Sequence, residues 1–268
     1  RYFKLPAYTL EASSNYIVSV TASVSPTISA FVSGALFTGR SGVTAIIAGA
    51  QARSASTRTP LVFDASPSAD LDYPSDPLTY VWSCVVLSPN FGDPCSGFVA
   101  SQTVTQSVAA SSMVARVYTI SVLVTNAAGL FASTSVQLTL LDTLAPVVAM
   151  MNVRPKYDPG EKIILSSTIT AQSNALVAAW GCNAITNFAT NGFALTPLVK
   201  RVPRGVTYVY QLSIAPNSLT PGLSYTFQLS TYYDNNRANP LVNSITILMN
   251  APPSGGILTV SPAVGTAF

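Results

Sequence analysis

A tyrosine that opens a run of alternating apolar residues recurs along this chain at near-regular intervals. The runs are Tyr16-Ile-Val-Ser-Val-Thr, Tyr118-Thr-Ile-Ser-Val-Leu and Tyr225-Thr-Phe-Gln-Leu-Ser, 102 and 107 residues apart. Two Trp-x-Cys pairs, Trp82/Cys84 and Trp180/Cys182, recur 98 residues apart. Alternation with period 2 is the pattern of a strand with one buried face. A repeat of this length is the size of one β-sandwich. No stretch of ten or more residues shows 3.6 periodicity, so little helix is expected. The chain reads as all-β, a tandem array of antiparallel β-sandwiches.

The sandwich type follows from the landmarks. A tyrosine entering the penultimate strand and a tryptophan beside a cysteine on the third strand mark an immunoglobulin-like (Ig-like) or fibronectin-III-type module. Trp82, Trp180, Tyr16, Tyr118 and Tyr225 are the expected core landmarks. Residues 1–42 read as the C-terminal strands of a preceding module, Asn15–Ser23 and Ile28–Phe37, plus a linker at Gly39–Gly42. A complete module follows at 43–142, with strands expected at Val43–Ala48, Pro60–Phe63, Leu78–Leu87, Phe98–Val108, Val117–Thr125 and Phe131–Leu141. A second occupies 143–250, with strands at Val147–Val153, Lys162–Ile169, Leu176–Cys182, Leu195–Val199, Thr207–Ile214, Ser224–Tyr232 and Leu241–Met249. Residues 251–268 read as the start of a following module, opening at Ile257–Val260. The whole is expected to be a window of a longer multi-module protein.

Composition narrows the function classes. Charged residues make up 9% and apolar residues 49%, against roughly 25% charged in an average soluble protein. No apolar run approaches the ~18 residues of a spanning helix, so no membrane span is expected. The hydrophobicity lies in short strands whose other faces carry Ser, Thr and Ala. Such a surface calls for covering, either by neighbouring chains or by O-linked sugars, since no Asn-x-Ser/Thr sequon occurs. Phe98–Val108 and Leu241–Met249 carry no charge at all and read as edges open to lateral pairing. The net charge of +3 is scattered, which argues against nucleic acid. The chain has no histidine, which removes Ser-His-Asp and Cys-His nucleophiles and His-ligated zinc. No enzyme activity and no catalytic residue are expected.

Three groups of residues remain as candidate sites. Cys84 and Cys95 flank the turn-rich Pro89-Asn-Phe-Gly-Asp-Pro94. They read as a disulfide in an oxidising compartment, against the alternative of two buried thiols. Cys182 is left over, either a buried free thiol or half of a bridge to another partner. Asp64, Asp70, Asp72 and Asp76 gather in one loop at the end of the module that faces its predecessor. Carboxylates at this density suit Ca²⁺, the one cofactor the chain invites, with 6–8 oxygens to supply; a solvated Asx/Pro turn is the alternative. Lys200, Arg201 and Arg204 form a basic cluster, either a patch for an acidic partner or sulfated glycan or a solvated hairpin tip.

With those residues in view, Asp64-Ala-Ser-Pro-Ser-Ala-Asp70-Leu-Asp72 followed by Leu78-Thr-Tyr-Val-Trp82-Ser-Cys84 resembles a PKD-type Ig-like repeat. The ending Asn250-Ala-Pro-Pro-Ser-Gly-Gly-Ile-Leu-Thr-Val-Ser-Pro262-Ala-Val-Gly265 is similar to the boundary of the REJ (receptor for egg jelly) region. That region is shared with polycystins and with large algal and protist surface glycoproteins. The second module departs from the pattern by lacking the Asp-x-Asp loop. The resemblance implies an extracellular, multi-module part of a cell-surface protein, on a cilium, flagellum or gamete, without catalytic activity. The expected role is a structural or adhesive segment, a spacer and protein–protein interaction surface that assembles into a filament or sheath. Its expected partners are further modules of the same chain, copies of itself, other surface glycoproteins and glycans. Two alternatives stand beside it: a ligand- or glycan-binding ectodomain of a polycystin/REJ-like receptor, and an accessory PKD module of a secreted enzyme.

Overall fold

Alternating sequences become strands because each buries one face and leaves its backbone to pair sideways. A computed structural model describes residues 3–25, 28–143, 145–151, 153–154, 156–188, 190, 192–237 and 240–252, and all their regular structure is β. Leu144, the strand expected at Ile257–Val260 and the Pro-Pro-Ser-Gly-Gly boundary from Pro253 onward lie outside the described residues. Ten strands run along the N-terminal half: β1 (Ser14–Ser25), β2 (Ile28–Thr38), β3 (Val43–Thr44), β4 (Ala52–Ser56), β5 (Leu61–Asp64), β6 (Ala69–Asp70), β7 (Thr79–Ser88), β8 (Thr105–Val108), β9 (Val117–Thr125) and β10 (Phe131–Leu141). Eight follow: β11 (Val147–Met150), β12 (Lys156–Tyr157), β13 (Ile163–Thr170), β14 (Leu176–Cys182), β15 (Val199–Val202), β16 (Thr207–Ile214), β17 (Ser224–Tyr233) and β18 (Leu241–Met249).

Two compact units share these strands. The first comprises the described residues of Arg1–Ala48, Pro60–Met113 and Thr119–Val136; the second takes those of Gly49–Thr59, Val114–Tyr118 and Gln137–Phe268. In the first, β1 and β2 form an antiparallel hairpin that pairs with no third strand among the described residues. β3 pairs with β6, β5 with β8, and β9 lies between β7 and β10. Trp82 of β7 and Phe63 of β5 meet in the core with ring centroids 6.3 Å apart, among Val86, Val108, Ile120, Val122 and Val124. Each such aromatic or aliphatic side chain contributes about 1.5–3 kcal/mol by leaving water.

The second unit is a sandwich of two sheets. One runs β15-β14-β17-β18, with β12 parallel on β18 and β4 bridging β18 at Ala52↔Ser244. β4 also pairs in parallel with residues 137–141 of β10. The other sheet runs β11-β13-β16. Between them lie Ile163, Leu165, Trp180, Tyr210, Leu212, Phe227, Leu229, Ile245 and Ile247.

All three repeat tyrosines turn their hydroxyls back onto backbone four or five residues upstream. The Tyr118 hydroxyl donates to the Val114 carbonyl at 2.8 Å. Those of Tyr16 and Tyr225 accept from the Glu11 and Thr220 N–H groups at 2.7 and 3.0 Å. This is the tyrosine corner of an Ig-like sandwich, present three times in one chain. Trp82, Trp180, Tyr118 and Tyr225 are buried, and Tyr16 is half-buried.

Several strand expectations are corrected. Of Phe98–Val108 only Thr105–Val108 is strand, because Gln106 points inward and needs partners. Its amide donates to the Val99 and Ser107 carbonyls and accepts from Ser101 N–H, which curls residues 99–105 into a loop. The Trp82 indole donates to Thr103 in that same loop. Gly97 is required beside it: its φ is +81°, and a Cβ there would fall 1.8 Å from the Ser112 carbonyl oxygen. Leu195–Val199 is replaced by Val199–Val202, since Pro197 has no N–H to give a ladder. Leu241–Met249 is not an edge. β18 is flanked by β17 on one side and by β12 and β4 on the other.

Candidate functional site: the acidic loop

The loop from Asp64 to Asp76 joins β5 to β7 and carries the four carboxylates. Asp64 caps its own turn, accepting from the N–H and hydroxyl of Ser66 at 2.8 and 3.0 Å. Asp70 is buried, an arrangement that requires its charge to be satisfied by donors. It is: the Asn126 amide donates at 2.6 Å, and the N–H groups of Asp72 and Tyr73 donate at 2.9 and 3.1 Å. These donors, the Asn126 amide foremost, hold the Asp70 carboxyl below the usual carboxylate value despite the opposing effect of burial.

Asp72 points the other way, to the foot of the β1–β2 hairpin. Its carboxylate accepts from Ser41 N–H at 2.9 and 3.0 Å and from Gly42 N–H at 3.2 Å. The Ser41 N–H is the main reason its carboxyl also lies below the usual value. Gly42, at φ +85°, adopts the left-handed backbone this grip needs, and its carbonyl accepts from Leu71 N–H at 2.9 Å. Ser68 exchanges hydrogen bonds with both backbone groups of Ile46, and the Tyr73 hydroxyl receives Ala12 N–H at 3.4 Å. The loop is therefore a clamp on residues 41–46, and through Tyr73 it reaches the start of the hairpin.

Asp76 lies apart, on the rim of an open cleft of about 300 Å³ lined by Tyr8, Asp72, Tyr73, Pro74 and Ser75. Among the described residues no three acidic or cysteine side chains converge as metal ligands would. The structure thus brings Asp70 and Asp72 into one hydrogen-bonded network and leaves Asp64 and Asp76 outside it. The sequence reading missed Asn126, Ser41 and Gly42. Asn126 sits in the Asn126–Leu130 turn after β9, where its sequence signal is that of a turn former and nothing points to a distant aspartate.

The other candidates are placed as follows. Cys84 of β7 is bonded to Cys95, with Cα atoms 5.8 Å apart, and Val85 bridges Pro94 across the same loop. Cys182 is buried at the end of β14, and burial pushes its thiol pKa up, which makes it a poor nucleophile. Lys200, Arg201 and Arg204 are exposed on β15 and the turn after it. Arg201 is ion-paired with Asp234, and Lys200 lies over the Tyr208 ring, 5.1 Å from its centroid.

Fold and site together define an all-β, Ig-like or fibronectin-III-like sandwich architecture with a disulfide and a hydrogen-bonded acidic loop, of extracellular adhesion type. The chain belongs to the REJ domain family, whose model matches residues 2–268. REJ and Ig- or fibronectin-III-like folds are non-enzymatic domain types. No curated protein matches the chain. Among solved structures, it is similar to a nucleoside hydrolase-related protein of Saccharophagus degradans, at 19% identity over 38% of this chain and 26% of that one, with a TM-score of 0.32. It is also similar to the alpha-2-macroglobulin of E. coli, at 10% identity over 83% of this chain and 18% of that one (TM-score 0.32). A third likeness is to the fibronectin(III)-like modules of Clostridium thermocellum CbhA, at 10% identity over 81% of this chain and 99% of that one (TM-score 0.27). The chain spans about a quarter or less of the first two proteins. No helix among the described residues is long and apolar enough to cross a membrane.

Proposed function

We propose that this chain is a structural and adhesive segment of a large extracellular glycoprotein, a spacer whose outer surface associates with copies of itself or other surface glycoproteins in a filament or sheath on the cell surface or cilium. Its modules are proposed to divide near residues 42, 142 and 250. The observation that carries this reading is a surface with few charges and outward apolar side chains on regular strands, among them Ile164, Val199 and Val209. The inward-turned carboxylates support it. Asp70 and Asp72 spend their charge on the chain's own N–H groups and hold a joint, as a spacer needs. A ligand-binding receptor ectodomain is the second reading, favoured by the open cleft where Tyr8 and Tyr73 stand beside Asp72 and Asp76.

Sedimentation velocity of the unglycosylated chain at micromolar concentration tests the assembling role. Reversible, concentration-dependent association is expected. A monomer at every concentration would remove assembly and leave a plain spacer.

A further inference from the structure

Charge is shared unevenly along this chain. Residues 59–115 hold Asp64, Asp70, Asp72, Asp76 and Asp93 but no lysine or arginine, and none of these carboxylates is ion-paired among the described residues. Beyond residue 143 the balance reverses, and the acids there are already engaged. Glu161 pairs with Arg154 at 2.6 Å, Asp234 with Arg201 and Arg237, and Asp158 accepts from the Asn250 amide. Lys156, Lys162, Lys200 and Arg204 are left exposed and without an ion pair among the described residues. Two features of opposite shape carry this imbalance. The first is the open cleft lined by Tyr8, Asp72, Tyr73, Pro74, Ser75 and Asp76, which includes no cation. Tyr8 and Tyr73 are 69% and 44% exposed, so both offer ring surface to a guest. Rings beside carboxylates attract a cation through the ring quadrupole and through charge together. The second feature is the turn that joins β15 to β16. Val206 N–H donates to the Pro203 carbonyl at 3.3 Å, and Gly205, at φ +77°, fills the left-handed third position of the turn. Arg204 therefore stands at the apex of an exposed knob.

We propose that Arg204 of one copy of this chain docks in the Tyr8–Tyr73–Asp76 cleft of a second copy and joins the copies head to tail. This deepens the assembling role proposed above and rests on it. The occupant is argued from charge complementarity: the cleft has carboxylates and no cation, and the same chain presents a free cation at a turn apex. Arginine suits the cleft better than the exposed lysines do. Its guanidinium is planar and weakly hydrated, so it can stack on a tyrosine ring and pair with a carboxylate at once. Asp76 is the carboxylate that meets it, because Asp72 already accepts from Ser41 and Gly42 N–H groups. Two different patches meet in such a contact. Each copy then keeps a free knob on one side and a free cleft on the other, and the contact repeats as a filament requires.

The test is sedimentation velocity on the 268-residue chain at micromolar concentration and low salt, where exposed charges are least screened. Arg204→Glu and Asp76→Lys are each expected to weaken association at least ~10-fold. The double variant should recover it, because the exchanged charges attract again. An equal mixture of the two single variants should give a dimer and nothing larger, since one retains only the knob and the other only the cleft. Lys162→Glu alters net charge as much as Arg204→Glu does and should associate like the parent. All four substituted proteins alter exposed residues, and melting temperatures equal to the parent's serve as the folding control. Single variants that associate at parent strength would overturn the docking and leave assembly to another surface. So would weakening by one reversal alone, equal weakening by Lys162→Glu, or a double variant that fails to recover. A parent that stays monomeric at every concentration would overturn both the docking and the assembling role.

Discussion

Replacing each corner tyrosine by phenylalanine removes one oxygen and leaves the ring, so the three variants isolate the corner bond in three environments. A hydrogen bond contributes about 0.5–1.5 kcal/mol net, and leaving a buried partner unsatisfied adds to the loss. Tyr118 is buried and donates to the Val114 carbonyl at 2.8 Å, but Val114 is itself exposed and its carbonyl can recover water. Tyr118→Phe should therefore cost about 1–1.5 kcal/mol. Tyr225 is buried and accepts from a partly buried N–H at 3.0 Å, and Tyr225→Phe should cost about 1 kcal/mol. Tyr16 accepts from the exposed Glu11 N–H, which water replaces, so Tyr16→Phe should cost less than about 0.5 kcal/mol in this chain. Equilibrium urea unfolding, read by the fluorescence of Trp82 and Trp180, measures all three as midpoint shifts at constant slope. A neutral Tyr118→Phe and Tyr225→Phe, or a Tyr16→Phe costlier than either, would refute the corner as a stabilising device.

Three further outcomes are expected. Replacing Cys84 and Cys95 together by serine should lower the stability of the first unit by about 2–3 kcal/mol, from the loop-closure entropy of an 11-residue separation; non-reducing peptide mapping of the parent should link these two and leave Cys182 to be alkylated only after unfolding. Because the folded-state pKa of Asp70 is depressed, its contribution is present above the unfolded value of 3.8 and lost as pH falls through that value and the lower folded one. Acid should therefore destabilise the first unit, and Asn126→Leu, which removes the largest cause of the depression, should flatten that slope in a melting series from about pH 6 down to about pH 2. If the loop's carboxylates act as hydrogen-bond acceptors, melting temperatures with Ca²⁺ and with chelator should agree; a rise with Ca²⁺ that Asp70→Asn with Asp72→Asn removes would restore the cation reading.

What the sequence disclosed depended on whether the signal was local. β9, β14 and β18 alternate between buried and more open positions, β16 does so as far as Leu212, and the bounds of all four were legible to within a residue. The corner tyrosines were legible because they recur. β4 was not, because Ala52-Arg-Ser-Ala-Ser has no branched or aromatic residue and pairs only through partners distant in sequence. The loop at 98–104 was misread because a buried glutamine looks like a polar outward position until its three partners are seen. At the acidic loop the residue type was legible and the role was not. Clustered aspartates suggest a cation equally well whether they face one another or face backbone N–H groups. Only the fold shows that Asp70 meets Asn126, 56 residues away, and that Asp72 meets Ser41, 31 residues away.

The claim that the acidic loop is a mechanical clamp, holding the hairpin foot to the first sandwich, is tested most directly by stretching single molecules of the chain from its two ends. Asp72→Ala, which frees the Ser41 and Gly42 N–H groups, is expected to let the segment ahead of β3 peel away at lower force. The unfolding force of the second unit should stay as it was. An unchanged first event in Asp72→Ala would contradict the clamp and return the loop to the role of a ligand site.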